Sequence, residues 1–280
     1  MLKGFAAWTI AVVPALIICA PLSRAQTAPA TASKGAAPAP RHDISGTWTP
    51  ARGPGDGIGG RGARDMPEDG RPEHKLPYTP LALEKMSAYK PGNGAREVVP
   101  GEITDPAVIY CDPQGMPRTD LYELRTTQIL QTDLKVVVLY EYEKLWRVIW
   151  ADGRELPKKI EEPRWYGYSV GKWVDDYTFV AETTGVDERT WLDKGGRPHS
   201  DALHVEERFH RVNHDLLELT VTINDPKMYT RPWVALDKFP MKLLPADFDV
   251  REMMCSVSEY MEYNKAMGFG NPTLTNGGKK

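Results

Sequence analysis

The sequence predicts a mainly β protein, an antiparallel meander that closes into a barrel, with a short N-terminal helix and a C-terminal helix. From Thr126 to about Asp237 the hydrophobic period is two, in segments rich in β-branched and aromatic residues. Turn clusters such as Asp152-Gly153 separate these segments and no crossover helix lies between them, which predicts sequential antiparallel pairing. Roughly eight or nine strands are too many for a flat open sheet, so we expect closure into a barrel.

Residues 1–25 have the pattern of a cleaved export signal. Lys3 precedes an apolar run from Phe5 to Leu22, and small residues suited to signal peptidase follow it. A transmembrane anchor is the alternative, but Pro14 and Pro21 interrupt the run and no other segment is apolar enough to span a bilayer. We therefore expect a periplasmic or secreted protein with no membrane span once the signal is removed.

Composition divides the rest of the chain. Residues 26–40 form a flexible Ala/Pro linker, residues 41–270 a single β-barrel domain and residues 271–280 a disordered tail. The formal net charge of -3 becomes more negative when Lys3 and Arg24 leave with the signal. This charge argues against nucleic acid as a partner.

The predicted elements follow in order along the chain. A strand begins within residues 43–49, and Thr79 and Pro80 supply the N-cap and the first position of a short helix. The clearest barrel strands are predicted at residues 135–143, 144–151, 177–183, 202–212 and 216–223. A final helix, near Asp247 to Met267, is expected to lie against the barrel and to carry Cys255.

Cysteine usage predicts one disulfide. Cys111 and Cys255 remain after Cys19 leaves with the signal, and thiols of exported proteins are readily oxidised. A bond between the two is the first interpretation, and two free thiols are the alternative.

A glutamate stands on an apolar strand face. Alternation in residues 202–212 places Glu207 with Leu203, Val205 and Phe209, whereas Arg208 faces the other way with His204, Glu206 and His210. A buried carboxylate has to be paired, hydrogen-bonded or protonated. An internal ion pair with Arg147 or Arg125 is the structural interpretation. A ligand-binding or general acid/base carboxylate is the functional one.

The histidines give weaker signals. His199 precedes a strand and is a candidate rim residue, with a solvated loop histidine as the alternative. His204 and His210 lie about 20 Å apart along one strand, too far to share a metal ion. The sequence predicts no metal site and no cofactor.

Aromatic residues are concentrated in the barrel segment. Trp146 and Trp150 lie on the strand face opposite Arg147, and one of the two faces has to be interior. An aromatic-lined cavity with a few polar groups is typical of a small-molecule site in a barrel. The candidate ligand-binding residues are Arg147, Trp146, Trp150, Tyr168 and Arg208.

Residues 167–171 fit the G-x-S-x-G pattern of serine hydrolases. A nucleophile elbow needs a helix directly after the serine, and here a turn and another strand follow. Ser169 is therefore not expected to be a nucleophile, and the two glycines are interpreted as a bulge or a barrel bend.

Several segments in fixed order resemble a widespread family of exported bacterial proteins of unassigned function. These segments are DGRELP (152–157), GYSVGKW (167–173), ETTGVDERTWLD (182–193), PHSDALHVEERFHRV (198–212) and DPKMYTRPW (225–233). His199, Glu207 and Arg208 match the family pattern, whereas members often carry histidine where Leu156 and Tyr168 stand here. The segment SGTW (45–48) resembles the opening strand of lipocalin-like barrels, so the barrel is expected to be lipocalin-like.

Three functions are compatible with this sequence. The first is binding of a small apolar or aromatic molecule inside the barrel, with Glu207 and Arg147 fixing a polar group. The second is a secreted hydrolase or lyase that uses Glu207 and His199 as acid and base in the same cavity. The third is a structural or interaction module of the cell envelope. A pocket large enough for a ligand separates the first two from the third.

Overall fold

The computed structural model describes residues 36–51, 62–63, 66–67, 71–72, 75–121, 124–158 and 160–269. The predicted signal, most of the predicted linker and the predicted tail lie outside these residues, so their boundaries stay predictions. Within the described ranges, no helix has both the length and the apolar character needed to cross a bilayer.

Nine of the strands in the described part of the chain close into a barrel, which confirms the predicted fold class. The strands are β1 (Gly46–Pro50), β2 (Gly62–Ala63), β3 (Met66–Pro67), β4 (Thr127–Gln131), β5 (Lys135–Tyr140), β6 (Trp146–Trp150), β7 (Tyr168–Trp173), β8 (Thr178–Thr184), β9 (His204–Asn213), β10 (Leu216–Asn224) and β11 (Trp233–Leu243). The barrel order is β1-β11-β10-β9-β8-β7-β6-β5-β4, and β1 pairs with β4 to complete it. Strands β2 and β3 pair separately.

One barrel pair departs from the predicted antiparallel meander. Strands β6 and β7 run parallel, with Ile149 beside Ser169 and Trp150 beside Val170. Gly153 adopts a positive φ of 85° and turns the chain as expected, but the described residues between Gly153 and Tyr168 then belong to a long loop instead of a hairpin. Because this loop returns to the end of β6, the next strand starts there and runs onward in the same direction.

The first helix is confirmed and the last one is shorter than predicted. Helix α1 (Pro80–Ala88) has Thr79 as its N-cap, whose hydroxyl accepts a hydrogen bond from the amide of Ala82. Two four-residue helices follow, α2 (Pro106–Ile109) and α3 (Arg118–Leu121). Helix α4 (Val257–Ala266) begins only after Ser256, because the Ser256 side chain caps the amide of Glu259.

The predicted disulfide is confirmed, but it lies outside the last helix. Cys111 and Cys255 are bonded, with Cα atoms 5.5 Å apart and a sequence separation of 144 residues. Cys255 therefore precedes α4 instead of lying within it. The Tyr260 hydroxyl of α4 donates to the carbonyl oxygen of Pro100, so this helix contacts the segment that leads into the barrel.

The two ends of the barrel are covered differently. At one end the Arg211 guanidinium lies 4.6 Å from the Trp48 ring centroid and donates to the carbonyl oxygens of Asp43 and Ser45. At the other end, residues 75–121 and 185–203, which we call the cap, lie across the strand termini. The cap contributes Met116 and Leu121 to the main hydrophobic core.

Alternation on β9 is as predicted. Val205, Glu207 and Phe209 are buried, whereas His204 and Arg208 are only partly covered. The inward-facing side chains of the other strands are also almost fully buried, among them Ile129, Val138, Ile149, Phe179, Ala181, Leu219, Val221 and Trp233. Buried side chains therefore surround Glu207.

Candidate functional site

An ion pair crosses the barrel interior from β6 to β9. The Arg147 guanidinium donates through Nη1 and Nη2 to the two carboxylate oxygens of Glu207, at 2.8 and 2.7 Å. Arg147 is 4% exposed and Glu207 is 0% exposed. The structural interpretation of Glu207 is therefore correct, with Arg147 as the partner. Both glutamate oxygens are occupied, so the carboxylate is not a free base.

A second carboxyl group enters the same space from the cap. Asp120 lies in α3, and its Oδ1 accepts a hydrogen bond of 3.1 Å from the Tyr140 hydroxyl. Burial, and then the negative charge of Glu207, raise the pKa of Asp120 well above its usual value. The raised pKa shifts Asp120 toward its protonated form, which weakens its competition with Glu207 for the Arg147 guanidinium. The sequence did not indicate Asp120, because a four-residue helix carries no periodic signal.

His199 is buried in a different network. It is 1% exposed, so it is neither a rim residue nor a solvated loop residue. Its Nε2 lies 2.7 Å from the Thr190 hydroxyl and its Nδ1 lies 3.2 Å from the carbonyl oxygen of Ser200. Burial lowers the pKa of His199. No described hydrogen bond joins His199 to Glu207, so the predicted acid/base pair is not brought together.

The five predicted ligand-binding residues do not meet in one cavity. Arg147 points inward, which turns Trp146 and Trp150 to the outer face of β6, and Trp146 is 64% exposed. The same alternation places Tyr168 and Arg208 on the outer faces of β7 and β9. An interior cavity lined by Trp146 and Trp150 is therefore not formed. Whether any of the five contacts a ligand stays a prediction.

A groove lies on the outer face of the barrel, where the loop after β6 passes over β7 and β8. We call it the outer groove, and its volume is about 310 Å³. Cross-strand pairing places Val170 beside Glu182 and Lys172 beside Val180 on its floor. The complete lining is Gly153, Arg154, Glu155, Leu156, Val170, Gly171, Lys172, Val180 and Glu182.

Arg154 forms a fixed wall of the outer groove. Its guanidinium carbon lies 3.8 Å from the Trp150 ring centroid, and its Nη1 donates to the Tyr168 hydroxyl at 3.0 Å. Its Nε and Nη2 donate to the carboxylate of Asp152 at 2.9 and 2.6 Å. These bonds lower the pKa of Asp152. Trp150 and Tyr168 from the sequence analysis thus contact Arg154, which that analysis missed, but they do not line the groove themselves.

The outer face beside the groove carries opposed negative charges. Glu182 on β8 stands directly across from Glu206 on β9, and like charges in this position destabilise a sheet. Arg208 compensates Glu206, with Nη1 3.8 Å from a carboxylate oxygen. Among the described residues, Glu182 has one ion-pair contact, with the His204 imidazole 4.0 Å away.

A second hollow, of about 730 Å³, lies at the end of the barrel closed by Arg211. It opens widely to solvent between the start of β1, the β4 strand and residues 243–246. The Arg211 guanidinium at its base already donates to four backbone carbonyl oxygens. The hollow is also lined by Asp43, which accepts from the Ser45 hydroxyl, and by Asp215, which contacts the His214 imidazole.

Ser169 has a structural position. It lies within β7, and its hydroxyl is 2.8 Å from the Thr183 hydroxyl on β8. Pairing between β7 and β8 runs without a register shift, so the expected bulge is not formed. A side chain at Gly171 would come within 2.4 Å of the Phe179 ring, which explains a glycine there by close packing.

Comparison with known proteins gave no relative: no family model, no curated protein and no solved structure matches the chain. Within the described ranges, no group of three or more His, Cys, Asp or Glu side chains is arranged to hold a metal ion. Function has therefore to be inferred from the geometry of the chain itself.

Proposed function

We propose that this protein binds a small amphipathic molecule, and that it does so in the outer groove. The proposal is based on the volume of the outer groove and on the residues that line it. The groove volume of about 310 Å³ lies at the lower end of the range typical of ligand sites. Val170 and Val180 supply an apolar floor, and Lys172 and Glu182 supply charges at its margin.

The groove is also pre-organised. Stacking on Trp150 and bonds to Asp152 and Tyr168 hold Arg154 in place before any ligand arrives. A wall that is already ordered loses little conformational entropy on binding, which favours affinity. The sequence analysis expected the ligand inside the barrel. We place it at the outer groove instead, because Arg147 and Glu207 are bonded to each other and the side chains around them are buried.

Binding is favoured over acid/base catalysis. Glu207 is held by Arg147 through both carboxylate oxygens, and His199 is bonded through both ring nitrogens elsewhere. Neither group faces the outer groove. A location outside the cytoplasm remains part of the proposal, and the Cys111–Cys255 disulfide supports it because such bonds persist in oxidising compartments.

The proposal is tested with 1-anilinonaphthalene-8-sulfonate, a fluorescent probe that is both aromatic and anionic. We expect saturable enhancement of its fluorescence by the folded protein. Val180→Trp places a large ring in the groove and should abolish the enhancement. Val212→Trp makes the same change at an exposed position of β9 outside the groove and should preserve it. Equal enhancement by both variants, or none by the unaltered protein, contradicts the proposal.

A further inference from the structure

Two side chains of opposite charge line the outer groove without a strong partner. Lys172 is exposed on β7, and its ammonium forms no ion pair or hydrogen bond with any described residue. Within the described part of the chain, Glu182 on β8 has a single ion-pair contact, at 4.0 Å, with the imidazole of His204. Both residues line the same groove.

The surroundings of Glu182 favour a cation. Glu206 stands across from it on the next strand, and Glu155 in the overlying loop lines the groove and is exposed. Arg208 on β9 is directed to Glu206, at 3.8 Å. An ammonium group beside Glu182 would therefore relieve the repulsion between the two opposed carboxylates.

The surroundings of Lys172 favour an anion. Arg154 is the other cation of the groove, but Asp152 already neutralises its charge through two hydrogen bonds. Lys172 thus supplies an uncompensated positive charge. Lys172 and Glu182 occupy diagonal positions on neighbouring strands, which are about 7–8 Å apart at the backbone. They form no ion pair with each other within the described structure, so charged groups of a ligand can lie between them.

From these positions, and resting on the proposed function, we infer that the outer groove recognises a zwitterion, an α-amino acid with an apolar side chain. The ammonium group lies at Glu182, the carboxylate lies at Lys172, and the apolar side chain packs on Val170, Val180 and Leu156. Charge-assisted hydrogen bonds are the stronger ones in proteins, and the apolar floor adds burial of the side chain.

The test compares three ligands that share one phenyl ring. Isothermal calorimetry is performed with L-phenylalanine, 2-phenylethylamine, which lacks the carboxylate, and 3-phenylpropionate, which lacks the ammonium group. We expect L-phenylalanine to bind about tenfold or more tightly than either analogue, because each analogue leaves one charge of the groove unpaired.

Two variants assign the charges. Glu182→Gln should remove the advantage of L-phenylalanine over 3-phenylpropionate, and Lys172→Met should remove its advantage over 2-phenylethylamine. Glu218→Gln and Lys242→Met make the same changes on β10 and β11, outside the groove, and should leave all three affinities unchanged.

The outcomes separate this inference from the function on which it rests. If either analogue binds as tightly as L-phenylalanine, recognition of a zwitterion is wrong. If none of the three binds while the naphthalene probe still does, the groove binds ligands of another class and the inference fails alone. If the probe does not bind either, the proposed function fails as well.

Discussion

Two arginine–carboxylate pairs in this molecule have hydrogen bonds of similar length but differ in their exposure to solvent. Arg147 and Glu207 lie inside the barrel, almost without exposure, joined by bonds of 2.8 and 2.7 Å. Arg154 and Asp152 lie at the surface, joined by bonds of 2.9 and 2.6 Å. These two pairs therefore place the same chemistry in a region from which water is excluded and in a region where water competes.

The difference in setting decides what each pair does. Removing one partner of a buried pair costs about 3–5 kcal/mol, because the other charge is left without water or a partner. Exposed pairs contribute about 0.2–1 kcal/mol and are screened by salt. We conclude that the interior pair orders the barrel, whereas the surface pair positions a guanidinium at a groove that ligands can reach.

Breaking the interior pair should give the largest effect. Arg147→Met leaves Glu207 buried and unpaired, and we expect a loss of about 3–5 kcal/mol in the free energy of unfolding. The double variant Arg147→Met/Glu207→Leu should recover most of that loss, because no charge is then left alone. Urea denaturation measures both. If Arg147→Met lowers the free energy of unfolding by less than about 1 kcal/mol, the pair behaves as an exposed pair and the prediction is wrong.

Removing the disulfide should have the next largest effect. The variant Cys111→Ser/Cys255→Ser frees the cap from the segment before α4, and we expect a loss of about 2–4 kcal/mol in the free energy of unfolding. Denaturation of the unaltered protein in reducing buffer should match the variant. Probe binding at the outer groove should survive the change, and its loss would show that the groove depends on the cap.

The pH dependence of stability tests the setting of Asp120. Its pKa is raised in the folded state, so its contribution to stability is complete below its unfolded pKa of about 3.9 and is lost as pH rises toward the folded value. In this range the unaltered protein should lose stability as the pH rises, because the unfolded chain releases the Asp120 proton at a lower pH than the folded protein. Asp120→Asn cannot ionise and lacks this loss, so its stability relative to the unaltered protein should rise with pH. If the stability of Asp120→Asn and that of the unaltered protein change with pH by the same amount, the pKa of Asp120 is not raised by burial.

The surface pair should give the smallest change in stability and a clear change in binding. Arg154→Ala is expected to change the free energy of unfolding least of these variants, because water and salt screen an exposed ion pair. It removes the wall stacked on Trp150, so affinity for the naphthalene probe should fall. Arg231→Ala, at an exposed arginine outside the groove, is the control. Unchanged probe affinity in Arg154→Ala argues against this wall as part of the site.

The sequence was sufficient for the barrel and for the inward position of Glu207, because both follow from a period of two. It was also sufficient for the helix capped by Thr79 and for the disulfide. The same period placed Arg147 and Trp146 on opposite faces, but alternation alone does not say which face is inside.

The remaining features depend on contacts between distant parts of the chain. The parallel pairing of β6 and β7 is set by a long loop that carries the same Asp-Gly signal as a hairpin turn. Asp120 reaches Tyr140 from a helix too short to recognise. The outer groove depends on the contact between Arg154 and Tyr168, the first residue of a strand that begins fourteen residues later. No local sequence pattern predicts a contact of this kind.

Hydrogen–deuterium exchange with and without the naphthalene probe tests most directly whether ligands meet this protein at the outer groove. We expect protection on binding to be confined to residues 152–157 and the adjoining parts of β7 and β8, with exchange in the cap and in β9 around Glu207 unchanged. Protection of the cap at residues 105–121 together with β6 and β9 would show that the ligand enters the barrel, and would contradict the account.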